Sequence, residues 1–164
     1  MKLDTRQRSY DWENPQATFL AGATQDGLAL LQAIGEGTLP VPPIMRTLAI
    51  EPVKAEKGKV TFTLEPEEFH LNPFGIVHGG VLATMMDTAM GCAVHSLLPV
   101  GASYVTSEMN IRFLRPALLS SGTLFCTGEL VNPGRSTMVA SAQIVDANRR
   151  LIAIAGCTCN LRPV

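Results

Sequence analysis

Asp87 is the only carboxylate between Glu68 and Glu108, and it lies in the middle of a long apolar segment. An ionised carboxylate away from water is costly unless it is paired or reaches solvent. The position therefore favours a general base or a nucleophile. A structural carboxylate that hydrogen-bonds a neighbouring loop, or that faces a subunit contact, explains Asp87 alone equally well.

The sequence His78-Gly79-Gly80 precedes this segment and is predicted to begin its helix. The first turn of a helix has N–H groups without intrahelical partners and a positive dipole end. Glycine at such a place lets a ligand approach the backbone closely, so an N–H can polarise a carbonyl and stabilise an oxyanion. Tight packing of the helix start against a sheet is the alternative reason for the two glycines.

The spacing of the two features adds a constraint. Gly79 and Asp87 are eight residues apart in the sequence, which is about 12 Å along a helix at 1.5 Å per residue. One carbonyl therefore cannot contact both groups of the same helix. Two helices paired antiparallel across a two-fold axis would bring Asp87 of one subunit toward Gly79 of the other. We therefore expect a homodimer or a dimer of dimers, and the low charged content of 16% agrees with a covered surface.

The helix that must position these groups is predicted at residues 79 to 97, where apolar residues occur around most of the circumference. Such a helix is buried. Two strands are predicted before it, at 46–53 and 58–65, and four after it, at 103–115, 121–132, 136–147 and 150–161. Short turns between consecutive strands indicate antiparallel hairpins. The sequence thus predicts an α+β fold in which one antiparallel sheet wraps around a central helix.

The first 45 residues are predicted to form an extension to a domain spanning 46–164. Residues 1 to 17 are polar and lack periodicity, which indicates a mobile tail or a partly docked arm. A short helix is predicted at 24–35, with Thr24 as its N-cap and Gly35 at its end. The proline-rich stretch 39–44 is predicted to be an extended connector.

Composition excludes several classes of function. The net charge of −1 gives no electrostatic footprint for nucleic acid. The N-terminus lacks the apolar region of a signal peptide, and no stretch has the apolar length of a membrane span, so we expect a cytoplasmic protein with no membrane partner. The four cysteines are expected to be small buried residues in a reducing compartment, and their spacing with the histidines predicts no metal site.

The stretch HLNPFGIVHGGVLATMMDTAMG resembles the signature of hot-dog-fold thioesterases of the phenylacetic-acid-degradation type. The pattern is an Asn, a Gly, a His-Gly-Gly and an Asp eight residues after the first Gly of that pair. Here these positions are Asn72, Gly75, His78, Gly79, Gly80 and Asp87. The segments TSEMNIRFLRPA (106–117) and NPGRST (132–137) resemble the strand after the helix and a nucleotide-contacting turn. The resemblance covers residues 46 to 162 and implies a hot-dog fold that hydrolyses acyl-CoA thioesters.

The resemblance also implies roles for single residues. Asp87 is implied to be the nucleophile or the base that activates water, and the Gly79 N–H the donor to the thioester oxygen. Asn72 is implied to position water or the carboxylate, His78 to orient the site, and Thr106 to supply a hydroxyl near the attacking carboxylate. No metal or cofactor is required, because a thioester carbonyl is already electrophilic and its thiolate leaves readily.

The acyl-CoA substrate needs contacts at both of its ends. Arg135 with the adjacent Ser136 is predicted to bind the CoA phosphates, with Arg112 and Arg115 as second choices. Gly80 is predicted to contact the substrate through its backbone, and Phe74 to cover the site. The helix methionines near Asp87 are predicted to be acyl-pocket or plain core residues: Met85, Met86 and Met90.

Two other functions on the same fold remain open. A non-catalytic acyl-CoA binding or sensor protein is the main alternative, although the first 45 residues lack the basic character of a DNA-binding effector. A structural oligomer, with Asp87 at a subunit contact, is the other. A dehydratase is disfavoured because the helix carries no catalytic histidine beside Asp87, and His95 lies two turns further on.

Overall fold

The computed structural model describes residues 4–162, which form four α-helices and a six-stranded sheet. Three short helices come first, followed by a hairpin, one long helix and four further strands. The helices are α1 (Gln16–Ala21), α2 (Gly27–Gly35), α3 (Pro43–Leu48) and α4 (Gly79–His95). The strands are β1 (Ile50–Glu56), β2 (Lys59–Leu64), β3 (Ser103–Phe113), β4 (Leu124–Pro133), β5 (Thr137–Val145) and β6 (Leu151–Arg162).

The sheet has the order β1-β2-β4-β5-β6-β3, with every neighbouring pair antiparallel. The predicted α+β fold, with an antiparallel sheet around one long helix, is confirmed. Strand β3 lies at one edge and pairs only with β6 among the described residues. Its outer backbone N–H and C=O groups are therefore available to another strand.

Helix α4 packs on one face of the sheet, chiefly on β4 and β5. Its buried side is formed by apolar residues: Leu82, Met85, Met86, Ala89, Met90, Ala93 and Val94. The helix backbone comes very close to β4 at Gly128, where a Cβ atom would lie 2.2 Å from the carbonyl oxygen of Ala89. Only glycine permits this approach, so Gly128 sets the distance between α4 and β4.

The prediction that α4 is a buried helix holds for only one side of the helix in the single chain. One side of the helix stays partly open, because the sheet covers only the opposite side. Gly80 is exposed, and Thr84, Asp87, Thr88 and Cys92 are only half-buried. The apolar pattern around the helix therefore overstated its burial.

The region before the sheet differs from prediction in its details. Helix α2 begins at Gly27, and its N-cap is Asp26, whose carboxylate accepts a hydrogen bond from the Ala29 N–H at 2.9 Å. Thr24 is not the cap; its hydroxyl donates to the Ala21 carbonyl, at the end of a helix α1 that was not predicted. Asp26 precedes the helix directly and outcompetes the threonine two residues earlier.

Residues 43 to 48 form a helix where an extended connector and the start of a strand were predicted. Pro43 occupies the first turn of α3, where the missing N–H costs nothing and the fixed φ favours a helix. Ala49 ends α3 with a left-handed backbone at φ 50°, and β1 starts only at Ile50. The division between an extension and a main domain at residue 45 stays a prediction, and α3 crosses it.

The chain before α1 forms an arm that lies on the body of the protein. The Arg8 guanidinium donates to the carbonyls of Thr47 at 2.6 Å and Arg46 at 3.0 Å, and stacks 3.8 Å from the Phe69 ring centre. These contacts favour a docked arm over a mobile tail for residues 4 to 15, while the first three residues of the predicted tail lie outside the described range. Between residues 4 and 162 the structure contains no helix long and apolar enough to cross a membrane.

Candidate active site

Asp87 and Thr106 are brought together from two elements, the middle of α4 and the edge strand β3. The Thr106 hydroxyl donates to Asp87 Oδ1 at 3.0 Å. This bond fixes one carboxylate oxygen and leaves the other for a ligand, since a carboxylate offers several acceptor positions. Among the described residues, no lysine or arginine forms an ion pair with Asp87.

The titratable groups nearest to Asp87 on α4 and β3 are a thiol and a phenol. Cys92 lies one turn further along α4, and removal from water, together with the nearby Asp87 carboxylate, raises the pKa of its thiol to about 12. Tyr104 of β3 crosses over Gly91, where a Cβ would lie 2.1 Å from the phenol oxygen. Burial raises the pKa of Tyr104, so both neighbours remain uncharged at neutral pH. An unpaired carboxylate among neutral groups is well suited to act as a base or nucleophile.

The start of α4 leaves one backbone donor free. His78 is the N-cap, and its ring atom Nδ1 accepts the Gly80 N–H at 2.8 Å. Within residues 4–162 the Gly79 N–H has no hydrogen-bond partner. The predicted backbone donor Gly79 is thus available, whereas the N–H of Gly80, predicted to contact substrate, is occupied by His78.

Asn72 shapes the loop that precedes α4. Its Oδ1 accepts the N–H groups of Phe74 at 2.9 Å and Ile76 at 3.4 Å, and its backbone pairs with Ile76 and Gly75. Among the described residues its side-chain NH₂ group has no partner, so this group can donate to a ligand. Phe74 stands 87% exposed at the loop tip and covers nothing in the single chain.

Gly79 and Asn72 line the same surface depression, of about 370 Å³, together with Phe113 and Arg115 from the end of β3 and beyond. A Cβ on Gly79 would lie 3.2 Å from the Phe113 ring, so the ring covers the glycine directly. Arg115, a second choice for phosphate binding, lines this depression. Its guanidinium donates to the Leu151 carbonyl at 2.8 Å.

The two candidate half-sites, the Asp87 carboxylate held by Thr106 and the free Gly79 N–H beside Asn72, are therefore separated within one chain. Asp87 lies at the Thr106 end of β3, and Gly79 lies at the Phe113 end. Seven residues of strand separate these ends by roughly 23 Å, at 3.3 Å per residue. The expectation from helix spacing, that one carbonyl cannot contact both groups of one chain, agrees with this arrangement.

Arg135 and Ser136 occupy the exposed turn between β4 and β5. The Ser136 carbonyl accepts the Leu161 N–H at 2.8 Å, and Leu161 pairs with Tyr104. The turn thus lies at the end of the sheet that holds Asp87. Arg112 is also exposed, further along β3.

Some residues predicted to line the site lie elsewhere, and some residues of the candidate site were not predicted. Met85, Met86 and Met90 are fully buried in the core and line neither half-site. Tyr104 and Phe113 were not singled out, because an aromatic residue in a strand carries no signal of its own. Between residues 4 and 162 no group of three or more His, Cys, Asp or Glu side chains is placed to hold a metal ion.

Comparison with known proteins identifies the family of this chain. Residues 74–153 match the family model of the thioesterase superfamily. The chain is 31% identical over 115 residues to the 1,4-dihydroxy-2-naphthoyl-CoA hydrolase of Listeria monocytogenes, covering 70% of this chain and 92% of that protein.

Two solved structures are similar in fold. The phenylacetic acid degradation-related protein of Ralstonia eutropha JMP134 has a TM-score of 0.72 and 30% identity, over 79% of this chain and 98% of that one. The protein smu.793 of Streptococcus mutans, solved bound to acetyl CoA, has a TM-score of 0.63 and 31% identity, over 69% of this chain and 88% of that one. The chain thus belongs to the thioesterase superfamily, as a hot-dog-fold member of the phenylacetic-acid-degradation type.

Proposed function

We propose that this protein hydrolyses acyl-CoA thioesters to the free acid and CoA, with Asp87 as nucleophile or general base. The observation that carries the proposal is the carboxylate of Asp87, held by Thr106 at 3.0 Å among neutral groups. The acyl-CoA hydrolase among the relatives, and the acetyl-CoA-bound structure among the neighbours, support this substrate class.

The groups present account for each step of the reaction. Asp87 either attacks the thioester carbon or takes a proton from a water that attacks it. The carbonyl oxygen gains negative charge, which the free Gly79 N–H at the positive end of α4 stabilises. The carbon–sulfur bond then breaks, and the CoA thiolate leaves and takes up a proton. If Asp87 attacked directly, water hydrolyses the resulting anhydride and restores the carboxylate.

Asn72 and His78 act at the same end of the substrate as Gly79. The Asn72 NH₂ group donates to the attacking water or to the incoming carboxylate. His78 caps α4 through Nδ1 and keeps the Gly80 N–H occupied, which directs the substrate oxygen to the Gly79 N–H. His78 is therefore a positioning residue in this proposal.

The complete site is shared between two subunits. Pairing of two β3 edges, antiparallel across a two-fold axis near Met109 and Asn110, would place residue 106 of one strand opposite residue 113 of the other. Thr106 contacts Asp87, and Phe113 covers Gly79. This register would therefore join the carboxylate half-site of one subunit to the N–H half-site of its partner. A homodimer, or a dimer of dimers built from it, is the smallest active unit.

Cations near both half-sites are suited to the CoA phosphates. Arg135 and Ser136 form an exposed turn at the Asp87 end of the sheet, and a guanidinium can bind a phosphate through two parallel hydrogen bonds. Arg115 lies at the Gly79 end. The Arg135 turn is the primary phosphate contact in this proposal, and Phe74 closes over the bound substrate.

Thiol release from a panel of acyl-CoAs tests the function directly. Asp87→Asn keeps the size and the hydrogen bond to Thr106 but removes the charge, so kcat should fall about 1000-fold or more. Binding of CoA thioesters should persist in the variant. Asp26→Asn is the matched control, because Asp26 is the N-cap of α2 and asparagine caps a helix as well as aspartate.

The outcomes separate hydrolysis from the alternative functions. Release of CoA by the wild type and the control, but not by Asp87→Asn, supports the proposal. Equal rates in all three proteins would remove Asp87 from the mechanism. Tight binding of acyl-CoA without release by any of them would indicate a binding or sensor protein.

A further inference from the structure

A second, apolar cavity of about 370 Å³ lies on the side of α4 that faces β1 and β2. The N-terminal helices form its outer side, through Leu31 and Ile34 of α2, and leave it partly open. The hairpin forms its floor with Ala55 and Phe62, and α4 forms its inner wall with Thr88 and Cys92. Ligand sites are commonly apolar clefts of a few hundred Å³, so a cavity of this size beside a candidate active site is itself a candidate ligand site.

The inner wall connects the cavity to the candidate active site. Thr88 follows Asp87 in the sequence, and Cys92 is one turn further along the same open side of α4. The Asp87 carboxylate is close enough to Cys92 to contribute to the raised pKa of its thiol. A group bound to the carbon that Asp87 attacks would therefore have an apolar space adjacent to it.

The lining defines the chemistry of the occupant. Its side chains are mostly aliphatic, and Phe62 is the single aromatic ring among them. Lys54, which contributes a charge to the lining, is paired with Glu56 at 2.9 Å. The other charged lining residue is Glu36, an exposed residue directly after α2. The rest of the wall is mostly aliphatic and suits an uncharged hydrocarbon chain.

The volume defines the size of the occupant. A cavity of about 150 Å³ lined by aliphatic and aromatic side chains accommodates one benzene molecule, so the larger space here has room for on the order of ten carbons. All the lining residues except Thr88 and Cys92 precede residue 74, where the match to the thioesterase superfamily begins. The cavity is thus built by the part of this chain outside that match.

We propose that this cavity receives the acyl group of the substrate and selects straight aliphatic chains of about ten carbons. The inference rests on the proposed function, because it assigns the apolar end of the same thioester. In this arrangement α2 and the β1–β2 hairpin determine substrate length, while α4 supplies the chemistry.

The test fills the cavity from its floor. Ala55→Phe adds a ring at a position that packs against the core. Ala29→Phe makes the same change on the exposed side of α2, outside the cavity, and is the matched control. The probes are acetyl-, decanoyl-, hexadecanoyl- and 2-naphthoyl-CoA, with thermal unfolding of each protein as the check that it is folded.

The expected result is a wild-type kcat/KM that is at least tenfold higher for decanoyl-CoA than for the other three substrates. Ala55→Phe should lower the ratio of decanoyl to acetyl kcat/KM at least tenfold, and Ala29→Phe should keep the wild-type ratio. An unchanged ratio in folded Ala55→Phe would overturn the proposal. A wild-type preference for the naphthoyl or hexadecanoyl thioester would overturn it as well.

Binding measurements keep this result separate from failure of the proposed function. Calorimetric titration in the Asp87→Asn background, with and without Ala55→Phe, measures the same chain-length dependence without turnover. The wild type could hydrolyse no thioester while Ala55→Phe still weakens the binding of decanoyl-CoA at least tenfold. In that case the proposed hydrolase function is wrong, and the assignment of the cavity to the acyl group is supported. Equal binding in both proteins would overturn the acyl site, whatever the catalytic result.

Discussion

The hydroxyl of Thr106 is the group that fixes the orientation of Asp87, and it can be removed without changing side-chain shape. In Thr106→Val the carboxylate loses the hydrogen bond from the Thr106 hydroxyl, at 3.0 Å, and is free to rotate. A hydrogen bond to a charged group contributes about 1.5–3 kcal/mol, so we expect kcat to fall roughly 10- to 100-fold. Steady-state kinetics with a hydrolysed acyl-CoA measures the effect.

Thr106→Ser distinguishes the hydroxyl from the packing of the threonine. Serine keeps the donor and loses only a methyl group, so kcat should return to within about threefold of the wild-type value. If Val and Ser variants were equally slow, the site would depend on the methyl group as much as on the hydroxyl. If the Val variant were as fast as the wild type, Thr106 would have no role in the site.

His70 provides a single-residue test of stability against pH. The ring is buried, with Nδ1 accepting the Glu67 N–H at 2.9 Å and Nε2 donating to the Leu48 carbonyl at 2.9 Å. Burial lowers the pKa of His70 below its usual 6.5, and burial lowers the pKa of His95 as well. The folded state therefore binds protons less readily than the unfolded state at both histidines.

The sign of the effect follows from this difference. The free energy of unfolding should be at its full value above pH 6.5 and should fall as the pH drops toward the lowered pKa values, by at most about 1.4 kcal/mol per pH unit for each histidine. Urea unfolding at pH 7.5 and 5.0 measures it. His70→Gln should have a lower free energy of unfolding than the wild type at pH 7.5. Its free energy of unfolding should fall less between pH 7.5 and 5.0, because only His95 still contributes. An identical pH dependence in the variant would exclude His70 as a source.

At the scale of secondary-structure elements, the distance between α4 and β4 depends on Gly128. A Cβ at this position would lie 2.2 Å from the Ala89 carbonyl oxygen, and neither backbone can move without displacing the other. Gly128→Ala should therefore lower the free energy of unfolding by about 3 kcal/mol. Gly35→Ala is the control, since nothing lies within 4 Å of its added methyl group and its effect should stay within about 0.5 kcal/mol.

Urea unfolding measures the free energy of unfolding of the two variants, and the comparison requires that their m-values are equal. Since α4 also carries Asp87, folded Gly128→Ala should show lower turnover as well as lower stability. Equal stability of the two alanine variants would show that the sheet accommodates a methyl group at Gly128, and that this glycine does not set the depth of the helix.

The same elements show what the sequence could predict. The long helix and the four strands after it have strong periodicity and short polar turns, and their predicted bounds differ from the observed ones by only a few residues. The region before β1 was harder, because Pro43 indicates an extended chain but also favours the first turn of a helix. Whether a proline lies in an extended segment or in the first turn of a helix depends on where the helix begins, and composition does not show this.

Prediction of the site was limited in a different way. The pattern around His78 and Asp87 singled out residues of both candidate half-sites, and the eight-residue spacing predicted that the two groups lie apart within one chain. The capping bond between His78 and Gly80, and the Phe113 ring over Gly79, depend on contacts between distant segments. Such contacts carry no local signal, and neither does the one-sided exposure of α4, which arises because a single sheet cannot surround the helix.

At the scale of the whole molecule, the edge strand β3 and the proposed shared site both favour a second subunit. The outer edge of β3 pairs with no other strand among the described residues, and exposed apolar side chains of the strand include Val105 at 46% and Phe113 at 54%. A long unpaired edge with apolar side chains favours pairing with another copy. In the register around Met109 and Asn110, that pairing would complete two identical sites.

Complementation between two inactive variants tests whether the site is shared. Asp87→Asn removes the carboxylate, and Gly79→Pro removes the N–H at the first position of α4, where proline is tolerated in a helix. Each variant alone should be inactive. A dimer with one subunit of each kind contains one site with both defects and one site with none. Random mixing gives half heterodimers with one intact site each, so co-expression should restore about a quarter of wild-type activity. Activity no higher than that of the single variants, in a preparation shown by differential tagging to contain heterodimers, would place both groups of each site in one subunit and refute the shared site.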